Sequence, residues 1–389
     1  MEYSRYTKII LLPIHIIENK DELEKIITKM KDTVGFSSTE KLDENTTSDK
    51  IGTNWLYYSH LQLSDILKLN SLLETHNLVI FLLNYEYCIK KEIFEKNNLK
   101  LIGIDLNTDV NNNIIKNTKP KIVLYGSSVI KSKTFTSKNI HYTLNTSNKD
   151  DYFNQAELTY AGIIIKDTER TDIDNCELVN NHSQNCMKIN ILDISNNKKY
   201  NMTNTTCINC KLHIRSCPLV FLEDNKFKNM YIYLWCANTT IYNNTFEEAL
   251  WLDLFNCEMS HITNNKFIDV NSYYKLISAD YSTKLYFNNN DMITKSVKLC
   301  DEEFKIFNAE RYSTCHVFNN KFITDNPIGI AGFGSILNIN NNKFSKDIVE
   351  VRCYYGEIKH KDNFNNNVEV KFEISDKDII KPDRILVSL

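Results

Sequence analysis

One short pattern recurs along the second half of the chain and constrains the fold more than any other feature. Asp224-Asn225-Lys226-Phe227, Asn243-Asn244-Thr245-Phe246, Asn264-Asn265-Lys266-Phe267, Asn319-Asn320-Lys321-Phe322 and Asn341-Asn342-Lys343-Phe344 all carry Asn followed two residues later by Phe. Asn290-Asp291-Met292 and Asp362-Asn363-Phe364 read as degenerate copies. The apolar ends run from Phe227 through Phe246, Phe267, Met292, Phe322 and Phe344 to Phe364. They are spaced roughly 19 to 30 residues apart, mostly near 21, the range in which a fixed period signals a solenoid or an array. Between the marks lie short β-rich runs, such as Tyr231-Ile232-Tyr233-Leu234-Trp235 and Ile348-Val349-Glu350-Val351-Arg352. These are too short and too strand-like for helical repeats. The Leu-x-x-Leu-x-Leu frame of leucine-rich repeats is absent, which leaves a parallel β-helix.

The physics of such a coil accounts for its Asn. The chain has about 50 Asn beside only 9 Gly and 5 Pro, far from ordinary composition. An AT-rich coding sequence would also enrich Asn, Lys, Ile and Tyr, so composition alone does not choose. The position of the Asn does. Each lap must bend sharply, and Asn tolerates the left-handed backbone region while its amide bonds to nearby main chain. Stacked in register, Asn side chains form hydrogen-bonded ladders, and the Phe two residues on would point inward onto the Phe of the next lap.

Earlier laps are less regular. Ile173-Asp174-Asn175-Cys176-Glu177-Leu178 and Ile208-Asn209-Cys210-Lys211-Leu212 carry a similar turn with Cys in the small inward place. Leu99-Lys100-Leu101-Ile102-Gly103-Ile104 and Lys121-Ile122-Val123-Leu124-Tyr125-Gly126 are strands ending near Gly, so the coil is expected to begin near Leu78. Upstream, 21–34 and 61–76 have helical spacing, and 37–52 reads as an exposed polar loop. An uncovered solenoid end is an aggregation edge. The expected organisation is an α/β N-terminal capping region at 1–76, the parallel β-helix at 77–372, and a C-terminal cap or tail at 373–389.

Charge and cysteine use narrow the function classes. With 46 Lys+Arg against 49 Asp+Glu, no basic field for nucleic acid is present. No run approaches the roughly 20 apolar residues of a membrane span. The segment 9–17 is short, contains Pro13 and His15 and lacks a small-residue cleavage site, so it reads as a buried strand and not as a signal peptide. On that basis the expected location is cytoplasmic synthesis, with incorporation into a virion as one destination. Eleven Cys is an odd number, and without a secretion signal a full disulfide framework is not expected.

The arrangement resembles the right-handed parallel β-helix of the pectin-lyase-like superfamily. Ile93-Phe94-Glu95-Lys96-Asn97-Asn98-Leu99-Lys100-Leu101-Ile102-Gly103 is similar to its opening rung, and 61–76 to its capping helix. The resemblance covers roughly residues 61 to 372 and implies a fold, not an activity. Faint similarity to pectin methylesterases runs through 133–140, 155–158 and 174–176, but Asn185, Cys186 and Met187 stand where that family's Asp-Thr-Leu follows a Gln. No esterase residues carry over. The paired Asp and Gly-His-Gly turn of polygalacturonases are also missing.

Aligning laps on the Asn-x-Phe mark brings Tyr231, Tyr233 and Trp235, then Trp251, Asp253 and Phe255, then Tyr273, Tyr274 and Lys275, then Arg352, Tyr354 and Tyr355 into nearby columns. Strand alternation turns about half of each set outward. Outward rings with a few charges suit sugars, whose apolar faces stack while their hydroxyls bond to polar groups. The candidate ligand-binding residues are therefore Tyr233, Trp235, Trp251, Asp253, Lys275, Arg352 and Tyr354, and core packing is the competing reading. Glycoside hydrolysis needs two carboxylates about 5 to 10 Å apart. Asp253 with Asp280 is the pair to consider, alongside Glu247 or Glu248.

No metal site or cofactor is expected. Cys207-Ile208-Asn209-Cys210 has knuckle spacing without a second ligand pair. Asp105-Leu106-Asn107-Thr108-Asp109-Val110-Asn111 lacks the Gly and the bidentate Glu of a calcium loop. The acidic run Asp167, Glu169, Asp172 and Asp174 reads as a solvated turn. Gly332-Phe333-Gly334 is only a turn. The favoured function is a non-catalytic β-solenoid, a structural or attachment protein such as a virion or surface component, with a glycan- or protein-binding face. Assembly into a homo-oligomer is compatible with it. The alternative is a polysaccharide-active hydrolase or lyase.

Overall fold

The Asn-x-Phe mark is a corner. In the computed structural model, which describes residues 6–12, 18–34, 55–59, 63–68, 77–90, 93–104, 119–144, 162–180, 190–271, 275–294, 305–324, 328–346, 348–354, 356–365 and 368–375, the two Asn of each mark divide the work. The first residue of the pair adopts the left-handed region: Asp224, Asn243, Asn264, Asn289, Asn319, Asn341 and Asp362 all have φ between 54° and 59°. The second is buried, at Asn225, Asn244, Asn265, Asn290, Asn320, Asn342 and Asn363. Its Oδ1 accepts the backbone N–H of the equivalent Asn one lap earlier, at 2.8–3.1 Å along the whole series. Asn suits both places, since its short amide tolerates φ > 0 and offers a donor and an acceptor to a corner whose main chain would otherwise be buried unpaired.

The chain forms two compact units, Met1–Leu212 and His213–Leu389. Each is a stack of parallel strands, as a mainly β solenoid requires. In the second unit a lap has three legs. Lys266–Asn271, Lys275–Asp280 and Lys284–Asn288 make one lap, and Asp291–Thr294, Lys305–Glu310 and Thr314–Phe318 lie on it leg for leg. Among the described residues every strand pairing is parallel except that of Phe364–Asn365 with Val368–Glu369.

The core is built in columns. Phe227, Phe246, Phe267, Met292, Phe322 and Phe344 are buried one above another, with ring centroids 5.1 Å apart for Phe227–Phe246, 4.8 Å for Phe246–Phe267 and 5.0 Å for Phe322–Phe344. Such stacking adds about 0.5–1.5 kcal/mol per pair to the burial itself. Phe364 departs from the sequence expectation. Its mark is one residue short, so Phe364 pairs with Lys343 and takes the outward place of the Lys, where it is 37% exposed. Cys176, Cys210, Cys236 and Cys257 occupy the small inward places, each almost fully buried.

In the first unit, Asn77–Leu82 pairs in parallel with Ile93–Gly103. Strand Tyr6–Leu12 lies parallel to Asn77–Leu82 and to Trp55–Ser59, which carries pairing across residue 76 into the capping region. Helix Lys20–Val34 starts where Asn19 accepts the Glu22 N–H at 3.3 Å and buries Leu23 and Ile26. This is a side-chain cap on an amphipathic helix. The second expected helix is seen as Leu63–Lys68, with Leu63 and Leu67 buried. The rest of 61–76, the loop 37–52 and the tail beyond 375 lie outside the described residues. Gly103 permits a close approach, since a Cβ there would meet the Asn139 carbonyl oxygen at 1.9 Å. Among the described residues no helix is long and apolar enough to cross a membrane.

Candidate ligand-binding face

The candidate residues sit on the middle leg of the second unit. In strand Lys226–Tyr242 the inward set Met230, Ile232 and Leu234 is buried, Tyr231 and Tyr233 are half-buried, and Trp235 is 42% exposed. Pairing with Thr245–Phe255 puts Trp251 beside Tyr231 and Asp253 beside Tyr233. The next laps continue the Asp253 column through Ser278, Asn308 and Ala331 to Arg352. Phe255 pairs with Asp280, Glu310 with Phe333, and Phe333 with Tyr354. Tyr233, Asp253 and Arg352 thus share one column. Lys275 pairs with Lys305 and falls in the alternate register set, that of Ile277. Lys275, Arg352 and Tyr354 are placed by their backbone alone; Tyr273, Tyr274 and Tyr355 lie outside the described residues.

Two regions differ in character. Around Tyr233 the face is polar and half-buried. His213 meets the Tyr233 ring edge-on at 4.8 Å, and Trp251 lies 4.9 Å from Tyr231. Burial raises the Tyr231 and Tyr233 hydroxyls above their ordinary pKa, and the neighbouring Asp253 charge raises both further. The Trp251 Nε1 is buried and has no hydrogen-bond partner among the described residues, and Ser278 in the same sheet is fully buried.

At the end of the leg, where the coil turns its second corner, the rings are open. Trp235 meets Phe255 edge-on at 5.5 Å, Phe255 lies 4.3 Å from Tyr281, and the Arg311 guanidinium stands 4.1 Å over the Tyr281 ring. Arg311 Nε is 3.7 Å from Asp280 Oδ1, and that oxygen accepts the Tyr281 N–H at 2.8 Å. Beside this row runs a groove of about 570 Å³ walled by Pro218, Trp235, Asn256, Glu258 and Ser282. Cys217 and Cys236 are also at its wall.

This corner has no repeating Asn. Its left-handed residues are Asn256, the pairs Tyr281–Ser282 and Arg311–Tyr312, and Gly334. Hydroxyls do the laddering: Cys257 N–H donates to Thr283 Oγ1 at 3.1 Å and Thr283 N–H to Ser313 Oγ at 3.2 Å. The sequence reading did not name Tyr281, Arg311, Asn256 or Glu258 as candidates; Phe333, which it placed in a turn, ends strand Ile328–Phe333 and is 38% exposed.

The carboxylates separate as well. Asp253 and Asp280 are diagonal neighbours, one lap apart and two positions along, which strand spacing and rise put at roughly 8 Å. They do not share a column. Glu247 and Glu248 belong to the first leg, paired with Lys226 at 3.0 Å and Lys228 at 2.8 Å. Cys207 and Cys210 are buried thiols, Cys210 Sγ lying 3.2 Å from the Leu178 carbonyl.

Fold and face define a parallel β-solenoid with an aromatic row along one corner. No family model matches the sequence, and no curated protein matches it. Among solved structures, that of PfbA, a surface adhesin of Streptococcus pneumoniae, is similar over 78% of this chain and 82% of its own, at 11% identity and a TM-score of 0.34.

Proposed function

We propose that this chain is a non-catalytic β-solenoid of the structural or attachment kind and that the second corner of residues 213–389 binds glycan. The observation that carries the reading is the unbroken row from Trp235 over Phe255 to Tyr281 and Arg311. It sits beside a groove with amide, hydroxyl and carboxylate groups at its wall. Rings that stack on sugar faces next to groups that bond to hydroxyls are what a saccharide site needs.

The hydrolase alternative has one observation in its favour, the diagonal placement of Asp253 and Asp280 on neighbouring laps of one face. The ion pair of Asp280 with Arg311 restricts the roles the two could take. A neighbouring cation favours the charged carboxylate, which suits Asp280 only as the general base and requires Asp253 to hold the proton of the general acid. The test is incubation of the purified chain with acidic and neutral polysaccharides, together with a glycan array. Binding without oligosaccharide release is expected, and release that disappears in Asp253→Ala would establish the hydrolase instead.

A further inference from the structure

Where later laps put a hydroxyl at the second corner, earlier ones put a thiol. Thr283 Oγ1 accepts the Cys257 N–H, and Ser313 Oγ accepts the Thr283 N–H. Cys257 stands at this corner one lap before Thr283, and Cys236 one lap earlier still. The two sulfurs are set alike. Cys236 Sγ lies 3.6 Å from the Ile214 carbonyl oxygen and takes a main-chain hydrogen bond from Cys217. Cys257 Sγ lies 3.5 Å from the Leu234 carbonyl oxygen and takes one from Cys236. Equivalent places on consecutive laps put the sulfurs about 4.8 Å apart, and charge on Cys257 bears directly on the Cys236 thiol. Both are free, buried thiols, and Cys236 is at the wall of the groove.

Two hydroxyls distinguish this pair from the other thiols of the chain. Thr239 and Ser260 pair across the same two laps and are 1% and 0% exposed. Neither Thr239 Oγ1 nor Ser260 Oγ has a hydrogen-bond partner among the described residues. Both stand near enough to Cys257 to oppose the effect of burial on its thiol. A neutral thiol is a weak acceptor and leaves such donors poorly used, whereas a thiolate accepts charge-assisted hydrogen bonds. Unused donors beside a sulfur therefore suit its charged form, and a buried charge needs a counter-ion.

The ligand count selects that ion. Among the described residues no three metal-ligating side chains converge, so the three or four protein ligands of a zinc site are not assembled. Two sulfurs facing each other suit linear coordination by a soft cation. Two metal–thiolate bonds of about 2.3 Å end to end span about 4.6 Å, close to the height of one lap. Among biological ions, a thiolate pair of this kind suits Cu(I).

We propose that Cys236 and Cys257 form a two-coordinate site for Cu(I), bridging adjacent laps behind the wall of the groove. Binding releases both thiol protons, forms two Cu–S bonds and leaves an anionic S–Cu–S unit, with no change of oxidation state. The Thr239 and Ser260 hydroxyls donate to it. The site is independent of glycan binding.

The test is anaerobic titration of the full chain with Cu(I) against a chromogenic Cu(I) chelator, with Zn(II) as the comparison and X-ray absorption on the loaded chain. The expected result is one Cu(I) held against the chelator in a shell of two sulfurs, with zinc failing to displace it. Cys236→Ser and Cys257→Ser should each lose that equivalent. Cys88→Ser should keep it, as should Cys315→Ser, whose strand neighbours are Leu285 and Leu337. Thermal midpoints of the metal-free variants show that they are folded. Retention of the equivalent in a folded Cys236→Ser or Cys257→Ser chain overturns the proposal, as do its loss in either control, displacement by zinc or a shell of three sulfurs. Should the serine variants not fold, Thr239→Val decides, since it keeps both sulfurs: Cu(I) affinity lowered at least tenfold supports the site, and unchanged affinity overturns it.

Discussion

Asn265 locks two laps of the coil together through Asn244: its Oδ1 accepts the Asn244 backbone N–H at 2.8 Å and the Asn244 side-chain amide at 3.0 Å. Its own amide donates to the Ile241 and Thr263 carbonyls at 2.9 and 3.0 Å. Asn265→Ala therefore strands buried donors and acceptors on both sides, and the expected cost is about 2–3 kcal/mol. The neighbouring Asn264 has φ 59° and a more open side chain. Glycine adopts that backbone freely, so Asn264→Gly should change stability by less than about 0.5 kcal/mol. Urea denaturation midpoints of the two variants separate these outcomes, and equal losses would refute the division of labour within the corner.

Acid should loosen the first unit through two carboxylates. Burial by itself would raise Asp174, but hydrogen bonds from Lys138, Asn204 and Thr203 outweigh it and hold the carboxyl below its ordinary value. Glu177 is lowered in the same way, against burial, by His141 and Lys119. A depressed native pKa means that the unfolded chain binds protons first as pH falls. The stabilisation is complete above the unfolded value, near pH 4, and disappears as pH drops through the lower native values. Urea midpoints followed downward from pH 5 should therefore fall on that limb. Asp174→Asn should flatten the fall, and a slope unchanged by the substitution would show that the pairing contributes nothing.

Thiol reactivity should divide by position. Burial raises the thiols of Cys176, Cys207, Cys236 and Cys257, and pushes Cys315 up to about 12. Only the thiolate is a nucleophile, so these groups are both shielded and protonated at neutral pH. Cys88 is exposed. Brief iodoacetamide treatment of the native chain followed by peptide mass mapping should label Cys88 and spare those five, which should react only in denaturant. Labelling of Cys236 in the native state would mean that the groove opens to its wall.

The fold was legible because one corner uses one residue type. Asn is the chemistry that both a left-handed turn and a buried amide ladder demand, so its spacing exposed the lap length, and the Phe placed the core. Phe364 misled only because its mark lacks one residue, and a shift of one position turns a side chain from core to solvent. The second corner was illegible for the converse reason. Cys257, Thr283 and Ser313 fill equivalent places, and several small polar residues satisfy a hydroxyl ladder equally well, so no motif marks it. Tyr281 and Arg311 lie there, invisible to an alignment anchored on Asn. Tyr233 and Asp253 were placed in register with each other because they lie a few residues from a mark, where register error had not accumulated.

Trp235 and Trp251 stand on the same face, and the sequence gives no means of telling them apart. Their surroundings do. Trp235 is exposed and touches Phe255 by an edge, so Trp235→Ala should cost under about 1 kcal/mol of stability while weakening glycan binding at least tenfold. Trp251 is half-buried against Tyr231, so Trp251→Ala opens a gap beneath that ring and should destabilise by about 2–3 kcal/mol. Its unpaired, buried Nε1 supplies a control. Trp251→Phe removes a donor that has no partner among the described residues while keeping an aromatic ring, and such a removal is close to neutral. Thermal melts and glycan titrations on the three variants would place the ligand on the open corner if only Trp235→Ala loses binding without losing stability. If Trp251→Phe abolishes binding in a chain that melts normally, the indole N–H is a ligand donor after all and the site extends into the polar half of the face.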